Sequence, residues 1–219
     1  MPELSVTLNS LNEQLSVFET MRIERDSMFE PQDLPGRYGR VVNAVDQVLI
    51  AISSEAVLGG GWAVWRHGFV NRVTQDLDIV LPADKVDEFL RVARYSGFEV
   101  LQQIPGRWPK LRHKDSDIQV DLLPEGERPG TPASPAPTLI PSPGQIGGQG
   151  NRLRYITLPC LIELKLAAGR LKDQADVVEL IRANSSKIES IRSRLIAVDA
   201  RYVNTFDTLL KQAETDDSR

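Results

Sequence analysis

Asp76-Leu77-Asp78-Ile79-Val80-Leu81 constrains this chain more than any other stretch, because it places two carboxylates inside an otherwise apolar run. In an extended strand, residues i and i+2 lie about 7 Å apart on one face, so Asp76 and Asp78 project together while Leu77, Ile79 and Leu81 face a core. Aspartate is disfavoured in strands and neighbouring like charges repel, a cost that a bound cation offsets. Upstream, Gly59-Gly60-Gly61 precedes Trp62-Ala63-Val64, a turn in which backbone N–H groups can approach an anion. Downstream, Asp117-Ile118-Gln119-Val120-Asp121-Leu122-Leu123 repeats the alternation and puts Asp121 on a second strand. Three strand carboxylates suit Mg²⁺, which takes oxygen ligands and keeps waters and substrate phosphates in its shell, with Mn²⁺ as the alternative ion. Taken singly, each piece has a plainer reading: a strand-ending turn, a solvated strand face, a strand-end residue before Pro124-Glu125-Gly126. Their joint order favours a site.

That order, a glycine turn, Asp-x-Asp and a lone Asp on a later strand, resembles the nucleotidyltransferase superfamily, which includes DNA polymerase beta. Arg72 and Thr74 complete an Arg-x-Thr-x-Asp-x-Asp form similar to the family pattern. Arg72 pairs either with phosphate or with the carboxylates. The segment from Leu161 to Asp176 is similar to the helical part of the AbiEii-type branch, whose members include toxins of toxin-antitoxin pairs, and the likeness spans about residues 55–183.

The resemblance implies transfer of a nucleoside monophosphate from a nucleoside triphosphate to an acceptor hydroxyl. In that scheme Asp76 and Asp78 hold two metal ions, and Asp121 binds one of them and lowers the acceptor hydroxyl's pKa. Gly60 and Gly61 present backbone N–H groups to the triphosphate, and Lys165, Asp173 and Asp176 match active-site positions of the branch. Implied partners are a tRNA or protein acceptor and a cognate antitoxin. A noncatalytic nucleotide-binding or protein-interaction module on the same fold is the alternative, since fold alone does not fix function. A metal-dependent nuclease also uses clustered carboxylates, but needs no glycine turn.

Lys165 also has a structural reading. Thr157 caps a helix with Pro159 in its first turn, Gly169 ends it, and Leu161, Leu164 and Ala168 form its apolar face. Lys165 then sits at the edge of that face, free to reach phosphate, and its removal should cost little stability. Asp173 caps the next helix and Asp176 lies in its first turn. Trp62 and Trp65 follow the turn at helical spacing, which favours core packing over a base-stacking wall. His67 and His113 are too isolated for a histidine metal site and read as loop or surface residues.

These features predict an α/β fold, a small mixed sheet flanked by helices with helical segments at both ends. Residues 1–54 form an N-terminal helical segment broken at Pro31–Gly36, with Val41, Val45, Val48, Leu49 and Ile52 as a packing stripe. Residues 55–123 form the nucleotidyltransferase core, with strands at 57–58, 98–101, around Arg112 and 117–123, and a helix over 83–96. Residues 124–150, interrupted by Pro129, Pro132, Pro135, Pro137, Pro141 and Pro143, form an extended excursion that can cover the acceptor side of a cleft. Residues 151–219 supply three helical stretches that complete the site, the last a single one from about 186 to 212.

With 219 residues and 41% hydrophobic content, the chain has an ordinary globular composition. Its net charge of −4 argues against broad nucleic-acid binding, leaving only local basic patches around Arg91–Lys114 or on Arg182, Lys187, Arg192 and Arg194. One cysteine, Cys160, in an apolar helix start fits a buried thiol in a reducing compartment. Neither a leader-like N-terminus nor a membrane-length apolar run is present, and the expectation is a cytoplasmic protein without a membrane partner.

Overall fold

The structure, a computed structural model, describes residues 8, 11–13, 15, 16, 19, 30–69, 74–131 and 134–216. The described residues before 20 are helical, and Glu13 among them ties that stretch to the body of the protein through Arg37 at 2.6 Å. After a 3-10 turn at Pro31–Asp33, helix α1 spans Gly36–Ala51. Tyr38, Val41, Val42, Val45, Val48 and Leu49 are its fully buried stripe. Burying each of those valines contributes on the order of 1.5–3 kcal/mol. Strand β1 (Ala56–Leu58) leads through the glycine turn into α2 (Gly60–Arg66). Then come β2 (Asp76–Leu81) and α3 (Val86–Ala93), the latter extended at both ends by 3-10 turns so that the helical run covers residues 83–96 as the sequence predicts.

Strands β3 (Phe98–Gln102), β4 (Lys110–His113) and β5 (Ile118–Pro124) follow. β5 starts one residue later than expected because Asp117, at φ 52°, closes the turn from β4; aspartate tolerates that conformation better than most residues. The excursion is less irregular than its prolines suggest. It carries a small hairpin, β6 (Gly130–Thr131) with β7 (Ser134–Pro135), and a short helix α4 (Pro143–Ile146) capped by Ser142.

A strand the sequence reading missed, β8 (Leu153–Tyr155), then enters the main sheet, whose order is β3-β4-β5-β2-β1-β8. β2 and β5 pair in parallel, as do β1 and β8, while the other neighbours are antiparallel. The outcome is a mixed six-stranded sheet flanked by helices, consistent with the nucleotidyltransferase fold.

The C-terminal part holds four helices rather than three: α5 (Leu158–Ala168), α6 (Leu171–Ala183), α7 (Ile188–Val198) and α8 (Ala200–Asp216). The expected single helix over 186–212 breaks at Asp199, which is extended, and its carboxylate accepts a hydrogen bond from the Arg201 N–H at 2.8 Å. That side-chain bond gives the backbone an alternative to continuing the helix. α5 to α8 pack on one another, and α5 reaches α2. Among the described residues, no helix is long and apolar enough to cross a membrane.

Candidate active site

Parallel pairing of β2 with β5 makes Asp78 and Asp121 register partners, with Asp76 opposite Gln119 two residues earlier. Alternation then sorts the strand. Leu77, Ile79 and Leu81 are fully buried, while Asp76, Asp78 and Val80 line a cleft of about 700 Å³ together with Asp121 and Leu123. Helices α5 and α6 supply the facing wall through Leu161, Leu164, Lys165, Ala168, Arg170, Lys172 and Asp173. The excursion closes another side with Glu127, Arg128, Pro129, Gly130, Pro135 and Ile140.

The glycine turn meets β2 directly. Gly59 donates its N–H to the Asp78 carbonyl at 2.8 Å, and Gly60, at φ 57°, starts α2 beside the Asp78 carboxylate. Gly60 lines the cleft; Gly61 is buried one residue into α2 and is not part of the lining. Trp62 is fully buried and packs on Tyr38 and Trp65, with ring centroids 4.5 and 5.3 Å away, so the core reading of these tryptophans agrees with their positions. Thr74 is buried ahead of β2, its carbonyl accepting from the Tyr38 hydroxyl at 3.3 Å, and it does not line the cleft. Arg72 lies outside the described residues.

Asp78 is buried among like charges. Burial first, then the Asp76 and Asp121 carboxylates, push its pKa up to about 6, against a smaller opposing influence of Lys165 and Arg170. Asp121 is engaged differently: Lys110 Nζ reaches its Oδ2 at 2.6 Å and Gln119 Nε2 donates to its Oδ1 at 2.6 Å. Both of its oxygens therefore have protein partners, and among the described residues no group of three His, Cys, Asp or Glu side chains is arranged to hold a metal ion as it stands. The crowding of carboxylates around buried Asp78, which a cation would relieve, nonetheless fits oxygen-ligated divalent metal.

Lys165 is placed otherwise than its expected position at the edge of a buried face. α5 is buried on nearly every side, and Lys165 itself is only 6% exposed. Its amine donates to Asp173 Oδ1 at 3.0 Å and Asp176 Oδ2 at 2.6 Å. Arg170 adds a second cation, donating to Asp173 Oδ2 at 2.6 Å and Oδ1 at 3.2 Å. These cations hold the Asp173 carboxyl below its ordinary range despite burial. Asp173 is thus not the cap of α6, since Arg170 holds that position and Asp173 sits in the first turn. Thr157 at the start of α5 and Gly169 at its end, φ 67°, stand where the sequence puts them.

Lys110, Gln119 and Arg170 were not singled out as site residues from sequence. For Lys110 the available signal was cross-strand pairing with Asp121, which needs the strand register. Of the expected basic patches, Arg107 and Lys110 line the cleft, whereas Arg112 turns to Glu99 and Asp117. Arg192 and Arg194 are spent on Asp207 and Glu163. His113, expected at the surface, is buried in β4 against Phe98 with centroids 5.0 Å apart. His67 does lie in the turn after α2, half-buried, with Nε2 at 2.8 Å from the Ile156 carbonyl.

The sequence model of the aminoglycoside-2''-adenylyltransferase family matches residues 41–125, the stretch from within α1 through β5 that carries the glycine turn and all three aspartates. Among solved structures, ANT(2'')-Ia in complex with adenylyl-2''-tobramycin is 15% identical, with 78% of this chain and 95% of that chain covered and a TM-score of 0.41. A solution structure of the antibiotic-resistance factor ANT(2'')-Ia is 15% identical over 81% and 91% of the two chains, with a TM-score of 0.42. JHP933 from Helicobacter pylori is 12% identical over 82% and 93%, with a TM-score of 0.37. No curated protein gives a significant match. The family match supports a nucleotidyltransferase of the superfamily to which the sequence pattern points; it does not bear on the AbiEii-type branch.

Proposed function

We propose that this protein is a metal-dependent nucleotidyltransferase that moves a nucleoside monophosphate from a nucleoside triphosphate to an acceptor hydroxyl, releasing pyrophosphate. The observation that carries the reading is the register pairing of Asp78 with Asp121 beside the Gly59-Gly60 turn, which puts Asp76, Asp78 and Asp121 on one cleft wall. Asp76 and Asp78, with Asp121, would hold Mg²⁺ or Mn²⁺. An ion held there would supply neutralisation of the triphosphate charge and polarisation of the reacting phosphoryl group.

The chain's own groups contribute the rest. The glycine turn lets a phosphate approach the backbone closely, as no side chain intervenes. Asp121, at the border of the wall formed by β4, accepts a proton from the acceptor hydroxyl or orients it. Lys165 and Arg170, on the cleft wall, oppose the negative charge around Asp78, Thr74 is buried ahead of β2 and supports the strand entry, and Arg72 enters the proposal as a phosphate partner on its place in the sequence alone. Asp173 and Asp176 hold Lys165 in place.

For the acceptor, the family match and the shape of the cleft favour a small polyhydroxylated molecule, such as an aminoglycoside. A volume of about 700 Å³ lies within the range of small-molecule sites, and the proline-rich excursion bounds it on one side. A tRNA or protein acceptor, a cognate antitoxin, an AbiEii-type toxin role and a cytoplasmic location form the broader version of the proposal. A noncatalytic nucleotide-binding module is favoured by one observation, the engagement of both Asp121 oxygens.

The test is transfer of label from each α-³²P nucleoside triphosphate, with Mg²⁺, to aminoglycosides, bulk tRNA and protein. Label on the small-molecule product, with release of unlabelled pyrophosphate, both lost in Asp78→Asn, is the expected result. Label on tRNA or protein alone would reassign the acceptor. Triphosphate binding with no pyrophosphate from any acceptor would leave the noncatalytic module.

A further inference from the structure

Two of the lysines that line the cleft, Lys165 and Lys110, differ in how they are held. Lys165 has a side chain 7% exposed, fixed between two buried carboxylates. Lys110 has a side chain 36% exposed and, among the described residues, one carboxylate partner, Asp121. Lys110 and Asp121 face each other as register partners on antiparallel β4 and β5, with the amine 2.6 Å from Oδ2. Gln119 fixes the other oxygen from its own strand at 2.6 Å. The carboxylate is thus oriented from both sides, but only one of its partners carries charge. An ammonium on a flexible four-carbon stem is a compact point charge that can swing aside. Held by one charged partner whose stem is partly exposed, the pair is weak enough for a divalent cation to displace.

We propose that Lys110 is the resident counter-ion of Asp121, a positioning residue that holds this carboxylate oriented in the free protein and competes with divalent metal for it. The inference rests on the nucleotidyltransferase reading of the cleft. Lys110 keeps Asp121 from acting as a metal ligand until a metal-loaded triphosphate brings enough charge to displace the amine. Metal bound to the free protein is accordingly weak, and strengthens when the amine is removed.

The experiment is Mn²⁺ binding without nucleotide, followed by electron paramagnetic resonance of the free ion, on the full chain. Lys110→Met should bind Mn²⁺ roughly threefold to tenfold more tightly than the parent, the change expected from losing a pair of about 1 kcal/mol. Lys110→Arg, which keeps the charge, should not tighten it. Asp121→Asn should erase the gain in the Lys110→Met background, and thermal melts establish that each variant is folded. Unchanged or weaker binding in folded Lys110→Met overturns the proposal while leaving the cleft reading intact, provided that Asp78→Asn abolishes parent binding. Binding seen only in Lys110→Met supports it. Absence of Mn²⁺ binding from both parent and Lys110→Met, with no transfer activity, overturns the cleft reading and the proposal together.

Discussion

Gly60 has no side chain because Asp78 occupies the space one would fill: a Cβ on Gly60 would stand 1.7 Å from Asp78 Oδ2. The two residues form a single element, a left-handed turn residue and the carboxylate it shelters. Gly60→Ala should therefore act twice. It forces an alanine to φ 57°, costing about 1–2 kcal/mol, and it pushes the Asp78 carboxylate out of place. The expected outcome is a folded protein with a lower Tm and transfer reduced by at least two orders of magnitude. A variant with parental turnover would detach the turn from the site.

Asp78 and His67 should tilt the pH dependence of stability in opposite directions. Asp78 has its pKa raised to about 6 by burial and then by its acidic neighbours. The unfolded chain therefore loses this proton first, and the contribution of Asp78 falls as pH rises from about 4 to 6. His67 has its pKa lowered to about 4, mainly by burial, so its contribution is lost as pH falls from 6.5 towards 4. Over the shared window the two effects offset each other. Asp78→Asn should steepen the loss of stability on acidification and raise Tm at pH 7, while abolishing transfer. His67→Gln should flatten that loss. Chemical denaturation of both variants at pH 4.5 and 7 checks the signs; parallel slopes in all three proteins would refute the assignment.

Lys165 is more than a scaffold lysine, and its removal should not be silent. Without the amine, Asp176 loses its 2.6 Å partner and Asp173 keeps Arg170. Breaking a buried ion pair by removing one member costs roughly 3–5 kcal/mol, since the remaining charge stays desolvated. Lys165→Ala should lower Tm markedly, in contrast to the mild effect expected of an amine free to face phosphate. Adding Asp176→Asn should recover part of the loss. Equal Tm for parent and Lys165→Ala would place the amine outside this network.

The excursion is pinned at Ile140, which is 2% exposed and exchanges backbone hydrogen bonds with Gly126 and Glu127 at 2.9 and 2.8 Å. Ile140→Ala removes a buried anchor, at a cost of about 2–4 kcal/mol for loss of such a side chain. Because this wall lies on the β5 side of the cleft, the expected outcome is a raised KM for the acceptor with a smaller change for the triphosphate. Steady-state kinetics varying each substrate in turn measures the split.

The β2 and β5 strands were legible in the sequence because alternation there is clean, and their period-2 pattern assigned each aspartate to a face before any pairing was known. The glycine turn and the ends of α5 were legible for a similar reason: glycine and proline at fixed positions carry local conformational meaning. What sequence alone did not give depends on long-range pairing. β8 is three residues long, too short for alternation to distinguish it from loop. Lys110 gains its role only from the register across β4 and β5. Lys165 reads as an edge residue on a helical wheel, because no wheel shows that the next helix folds back to supply two carboxylates. Asp199 breaks the final helix through a side-chain bond that competes with the helical backbone, a signal present in the sequence but weaker than the apolar periodicity running across it.

The parallel pairing of Ala56 with Leu153 joins strands separated by nearly half the chain. During synthesis, β1 must therefore wait for residue 153 to leave the ribosome before its outer edge is covered, and the helices that wall the cleft emerge later still. At translation rates of about 5–20 residues per second, that interval lasts on the order of 5–20 seconds. For that time the nascent chain presents an apolar strand edge with β2 already made and no partner yet available, the period in which chaperone binding, or mispairing with another nascent copy, has its opportunity.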